Sequence, residues 1–91
     1  MTIYRDRIPV TDYQEISAGM VLSVAASLTG RSDVIDLWYE TTPLEMTGIY
    51  IIGTGNPVLW NQFTRADFTF IGTVVTPSGL VWHVFTGPIQ P

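Results

Sequence analysis

Met20–Glu40 reads MVLSVAASLTGRSDVIDLWYE, two apolar runs of strand length on either side of Thr29-Gly30-Arg31-Ser32. β-Branched and aromatic residues recur in both runs, and the glycine between them can take the positive φ of a tight reversal. The segment reads as a β-hairpin. In Met20–Leu28, alternation puts Met20, Leu22, Val24, Ala26 and Leu28 on one face, expected inward, and Val21, Ser23, Ala25 and Ser27 on a small, flat face. In Asp33–Glu40, Ile35, Leu37 and Tyr39 oppose Val34, Asp36, Trp38 and Glu40. The second set places Trp38 among acids, away from any need of the core, so Trp38 is expected at the surface.

Outward from this hairpin the same pattern repeats. Strands are expected at Ile3–Ile8, Tyr13–Ser17, Met20–Leu28, Asp33–Glu40, Gly48–Ile52, Phe68–Val75 and Leu80–Thr86, with Gly, Pro, Asn, Asp and Ser between them. Thr76-Pro77-Ser78-Gly79 is a second hairpin turn, with proline set before a turn glycine. Between Gly53 and Asp67 the pattern lapses, and a short helix is expected around Asn61–Ala66; a loop this long commonly carries function. The chain therefore reads as all-β, a small antiparallel β-sandwich or half-open barrel of about seven strands. Residues 1–86 make one domain, and 87–91 an extended C-terminal tail whose prolines cannot feed a ladder.

Ninety-one residues leave room for one core only. Charged residues make up 13% of the chain, against the ~25% usual for soluble domains, so some surface is expected to be covered by a homo-oligomer. The last strand points the same way, since Leu80, Trp82 and Val84 oppose Val81, His83 and Phe85 and both faces are apolar, as between core and partner. No apolar run approaches the ~20 residues of a membrane span, so no membrane association is expected. The opening MTIYRDRIPV has charges where a secretory signal is apolar, which suggests a cytoplasmic product. A net charge of −4 disfavours duplex nucleic acid.

Catalytic groups are few. There is no cysteine, and the single histidine, His83, lies between strand residues, where a satisfied strand histidine is the expected role. Asp6, Asp12, Asp33, Asp36 and Asp67 are scattered near strand ends and turns, positions of solvated or capping acids. No metal site, no cofactor and no enzyme is expected; a nucleotide hydrolase using His83 is the residual alternative.

Anion binding has more to offer. All four cations are arginines, Arg5, Arg7, Arg31 and Arg65, the residue type that grips phosphate bidentately and stacks on flat rings. Arg5 and Arg7 share a strand face, either as an anion-binding pair or as charges that keep an edge strand from aggregating. Ile52-Gly53-Thr54-Gly55-Asn56-Pro57 is either a structural turn or a nest in which Gly53, Thr54, Gly55 and Asn56 cradle a phosphate. Trp60, Phe63 and Arg65 follow within ten residues, a mixture that suits a nucleotide and equally a protein interface.

The ordered segments Ile3-Tyr4 with Pro9, Tyr13-Gln14-Glu15-Ile16, Met20–Val24, Leu37-Trp38, Ile52–Pro57, Phe70–Val74 and Gly79–Phe85 resemble a family of short, functionally uncharacterised phage and bacterial proteins across nearly the whole chain. Members more often carry His where this chain has Asn56, and have a shorter connection before the strand at Phe70. The resemblance implies a phage accessory product acting in the host cytoplasm. By analogy of size and assembly it is similar to viral proteins that sequester cyclic dinucleotides or cyclic ADP-ribose derivatives. The expectation is an anti-defence homo-oligomer that binds a small phosphorylated nucleotide without catalysis. Gly53, Thr54, Gly55, Asn56 and Arg65 would hold phosphates, Trp60 or Trp38 would stack on a base, and Arg5 or Arg7 would reach across from another protomer. The alternative is a protein-interaction module, a host-enzyme inhibitor or small virion component, with the same aromatics as anchors.

Overall fold

The computed structural model describes residues 2–41, 45–57 and 62–91. Its strands are β1 (Ile3–Pro9), β2 (Tyr13–Ile16), β3 (Met20–Ala26), β4 (Val34–Glu40), β5 (Thr47–Gly53), β6 (Thr69–Val75) and β7 (Val81–Gly87). They form two antiparallel sheets, ordered β1-β4-β3 and β2-β5-β7-β6, stacked as an unclosed sandwich of 35 × 32 × 17 Å. Both expected hairpin turns are present, with Gly30 at φ +76° and Gly79 at φ +87°, values that a side chain would oppose. A hydrogen bond of 3.2 Å from the Ser78 amide to Ser32 Oγ ties the two turns together.

The core lies between the sheets. Ile8, Ile35 and Leu37 meet Ile49, Ile51, Val74 and Val84, all buried. Val21 and Tyr39 continue this layer, which confirms the inward face expected for β4 but not that expected for β3. A bulge between Val21 and Ser23 resets the alternation, so Val21 faces in while Met20 and Leu22 are exposed; beyond the bulge Val24 and Ala26 pack inward as expected. Leu28 lies past the end of the strand and is 73% exposed. A second bulge, between Phe70 and Gly72, brings β6 against β3 so closely that a Cβ on Gly72 would sit 3.1 Å from Val24 Cγ2.

Residues 63–68, ahead of β6, fold back on the outer face of the four-stranded sheet. Their helix is a single 3-10 turn at Arg65–Asp67, later than expected, while Asn61 lies outside the described residues. The Thr64 amide donates to Asp67 Oδ2 at 2.9 Å, so this acid caps its own turn. Phe63 packs on Phe68, Phe68 edge-on against Tyr50, and Tyr50 against Tyr13, in a row of aromatic rings. The tail is docked beside them: Tyr50 Oη donates to the Pro88 carbonyl at 2.6 Å, and the Gln90 amide to Tyr13 Oη at 2.9 Å. The apolar second face of β7 thus has cover from the chain itself, with Arg65 over the Phe85 ring at 5.1 Å and Phe70 beside it at 5.3 Å.

Candidate functional site

β4 runs through the middle of the three-stranded sheet, and its register decides which side chains meet on the outer face. Arg5 lies opposite Trp38 and Arg7 opposite Asp36 on the β1 side; Ser23 and Ala25 take the same positions on the β3 side. Because Ile35, Leu37 and Tyr39 point into the core, these residues all point away from it. Neighbouring strands lie about 5 Å apart and alternate residues about 7 Å apart, so Arg5, Arg7, Asp36 and Trp38 occupy a patch the size of one heterocycle. Ser23 and Ala25 are the small residues on its β3 side, and the two arginines border it on the β1 side.

Asp36 is the anomaly of this patch. It is 1% exposed, and among the described residues neither of its buried carboxylate oxygens finds a hydrogen-bond donor. Arg7 Nε stands 3.6 Å from Oδ1, on a side chain that stays 38% exposed. Buried carboxylates ordinarily collect several donors, because removing a charge from water is expensive. The expectation of a solvated acid near a strand end fails here: Asp36 lies within a central strand, between Arg7 and Ala25. Other acids do serve their surroundings. Asp33 holds Arg31 through two hydrogen bonds of 3.0 and 2.7 Å, and Asp6 accepts from Tyr39 Oη at 2.6 Å. That bond, reinforced by burial, pushes the Tyr39 phenol up to about 12.

The remaining site residues lie elsewhere. At the Gly53–Asn56 turn, Gly55 has φ +87°, the Thr54 amide donates to Val81 and the Asn56 amide to Gly53, so these two donors are already occupied. Gly53 packs closely, since a Cβ there would lie 2.7 Å from Asn56 Nδ2 and 3.1 Å from Trp82 Cζ3, so the Asn56 amide would have to swing away. Trp82 Nε1 is buried without a partner among the described residues, and its ring, Gly53 and Asn56 line two adjoining shallow clefts of about 280 and 340 Å³. His83 bridges two hydroxyls, Thr54 Oγ1 at 2.7 Å from Nε2 and Thr73 Oγ1 at 3.0 Å from Nδ1. Arg65 donates to the Phe68 carbonyl at 2.9 Å and covers Phe85. Trp60 lies outside the described residues.

The expected set thus divides. Arg5, Arg7 and Trp38 come together on one outer face of the sandwich, and Arg65 lies on the other, out of reach of the same small ligand on one protomer. Asp36 joins the first group although its residue type suggests a solvated acid; the signal available in the sequence is its place between the core residues Ile35 and Leu37 in an unbroken strand pattern. Among the described residues no three His, Asp or Glu side chains gather as metal ligands, and no helix is long and apolar enough to cross a membrane.

No curated protein and no solved structure matches the chain. A family model described as a domain of unknown function, DUF7352, matches residues 1–90, and the chain belongs to that family.

Proposed function

We propose that this protein binds a small phosphorylated nucleotide on the outer face of β1, β4 and β3, and holds it without turning it over. The observation that carries the reading is the grouping of Trp38 with Arg5, Arg7 and a buried Asp36 that lacks hydrogen bonds, all on one outer sheet face. A tryptophan face stacks on any base, and arginine forks match phosphate oxygens. An acid buried without hydrogen bonds costs stability, and such a cost is commonly retained where a ligand offsets it. The Gly53–Asn56 turn and Arg65 then serve packing, and the phosphate-holding role moves to Arg5 and Arg7. Sequestration in a host cell as a phage anti-defence product, and assembly into a homo-oligomer, belong to the same reading; they rest on the family resemblance and the low charge content.

A second reading has one specific observation behind it. Ile3 and Met20, 61% and 59% exposed, flank Glu40 at one end of the same face, an apolar rim that suits a protein partner. A thermal-shift screen with mass spectrometry of the released ligand separates the two. Cyclic dinucleotides, cyclic ADP-ribose isomers and linear nucleotides are the probes. Ligand at a hundredfold excess over Kd adds about 2.7 kcal/mol, roughly 10–20 °C in Tm for a domain of this size. Recovery of the ligand unchanged supports sequestration, a changed mass makes the protein an enzyme, and no shift with any probe moves the assignment to the interaction module.

A further inference from the structure

We infer that the base this patch selects is guanine, read by the carboxylate of Asp36. The inference rests on the nucleotide reading and names the ligand class within it. Asp36 offers two oxygens with no hydrogen bond to either among the described residues, so the group that completes it must supply donors, and preferably two in parallel. The Watson–Crick edge of guanine does this with N1–H and the N2 amino group. The same edge of adenine sets the N1 lone pair beside its amino group and would turn that lone pair on the carboxylate. Uracil has a single N–H between two carbonyls, and cytosine presents two acceptors beside its amino group.

The neighbours fit such a base. Trp38 follows Asp36 on the same strand face at about 7 Å, close enough to stack on a ring whose edge reaches the carboxylate. Arg7 shields Asp36 through one contact of 3.6 Å and keeps 38% of its side chain in solvent. On binding, Arg7 exchanges the carboxylate for a phosphate, the guanine edge takes its place, and Arg5, opposite Trp38, supplies a second cation. Each charge in the patch then has a partner of matching geometry. Ser23 and Ala25, on the far side of β4, carry small side chains, and because Asp36 is 1% exposed the ring meets its carboxylate only once Arg7 has moved aside.

The test is calorimetric titration of the full chain with matched probes: GMP, IMP and AMP, cyclic di-GMP against cyclic di-AMP, and inorganic phosphate. A lost hydrogen bond to a charged group reduces affinity about tenfold or more, so IMP, which lacks the N2 amino group, is expected to bind about tenfold more weakly than GMP, and AMP more weakly still. Asp36→Asn is expected to erase the preference for guanine by weakening GMP, while AMP and phosphate, for which Arg7 no longer has to leave a carboxylate, bind at least as well as before. The comparison among ligands on the unmodified protein needs no variant, so it stands even if the substitution disturbs folding. AMP binding as tightly as GMP, or an Asp36→Asn variant that keeps the guanine preference, overturns this inference and leaves the nucleotide reading intact. Binding of none of the nucleotides overturns both.

Discussion

Exchanging Asp36 for asparagine removes a buried charge with almost no change of shape, and the geometry sets the sign of the effect on stability. At 3.6 Å and an effective dielectric near 20, the attraction of Arg7 Nε for Oδ1 is about 4–5 kcal/mol. Against it stand a desolvation penalty of several kcal/mol for the carboxylate and two oxygens with no hydrogen bond. The two effects nearly cancel, and Arg7, already 38% exposed, returns to water at little cost when its partner is neutralised. Asp36→Asn is therefore expected to raise stability by about 1 kcal/mol, or 4–8 °C in Tm. Arg7→Leu leaves the same carboxylate buried with no cation beside it, and is expected to lower stability by about 3 kcal/mol. Urea unfolding followed by circular dichroism, with m values compared to exclude a changed denatured state, measures both. If Asp36→Asn is destabilising by more than about 1 kcal/mol while Arg7→Leu is neutral, Asp36 is satisfied in solution and is no waiting acceptor.

Three further outcomes are expected from the fold. The Tyr39 phenol is raised from 10.0 to about 12, so the folded chain keeps a proton that the unfolded chain loses. The stability this adds is complete below about pH 10 and fades as pH rises toward 12. Tyr39→Phe should reduce the alkaline slope, leaving the part owed to Tyr13 and Tyr50, whose phenols burial also raises, and an unchanged slope would refute the assignment. Gly87→Ala drives a methyl group into the Phe68 ring and is expected to cost about 1–3 kcal/mol in denaturant unfolding; a neutral result would mean that the aromatic row is looser than it looks. Arg65→Ala should cost about 1 kcal/mol through the Phe68 carbonyl and the Phe85 ring, yet leave nucleotide affinity unchanged, whereas Arg5→Ala should weaken affinity about tenfold. The reverse order in binding assays would move the site to the other sheet.

Local chemistry makes the strands and hairpins legible, because Gly30 and Gly79 satisfy a backbone demand that no neighbour alters. The inward face of β4 emerges from simple alternation in the same way. Alternation fails over the first half of β3 because one extra residue at a bulge inverts the faces on one side of it, and nothing in Met20–Leu22 marks such an insertion. Arg65 and Phe63 look available in the sequence, which does not show that their segment returns to cover Tyr50 and Phe85. Arg5 and Arg7 are legible as residues of one face; their alignment with Asp36 and Trp38 depends on a register between segments some thirty residues apart. Asp36 itself is hidden by its residue type, since aspartate is a poor strand former and only the sheet around it reveals that it is enclosed.

The order of strands in the larger sheet also sets a timetable. β7 lies between β5 and β6, so the sheet has no centre until the strand that comes after both of them has been made. A ribosome adding ~5–20 residues per second needs roughly 3–14 s to travel from Tyr13 to Val81. Until then one edge of β5 stays unpaired and β6 has no neighbour in its sheet, and the anchors for Tyr13 and Tyr50 at Gln90 and Pro88 have yet to be synthesised. Meanwhile β1, β4 and β3 are complete in the first forty residues and can pair among themselves. The nascent chain thus carries the half-sandwich that bears Arg5, Arg7, Asp36 and Trp38 before the other half exists to cover its core face.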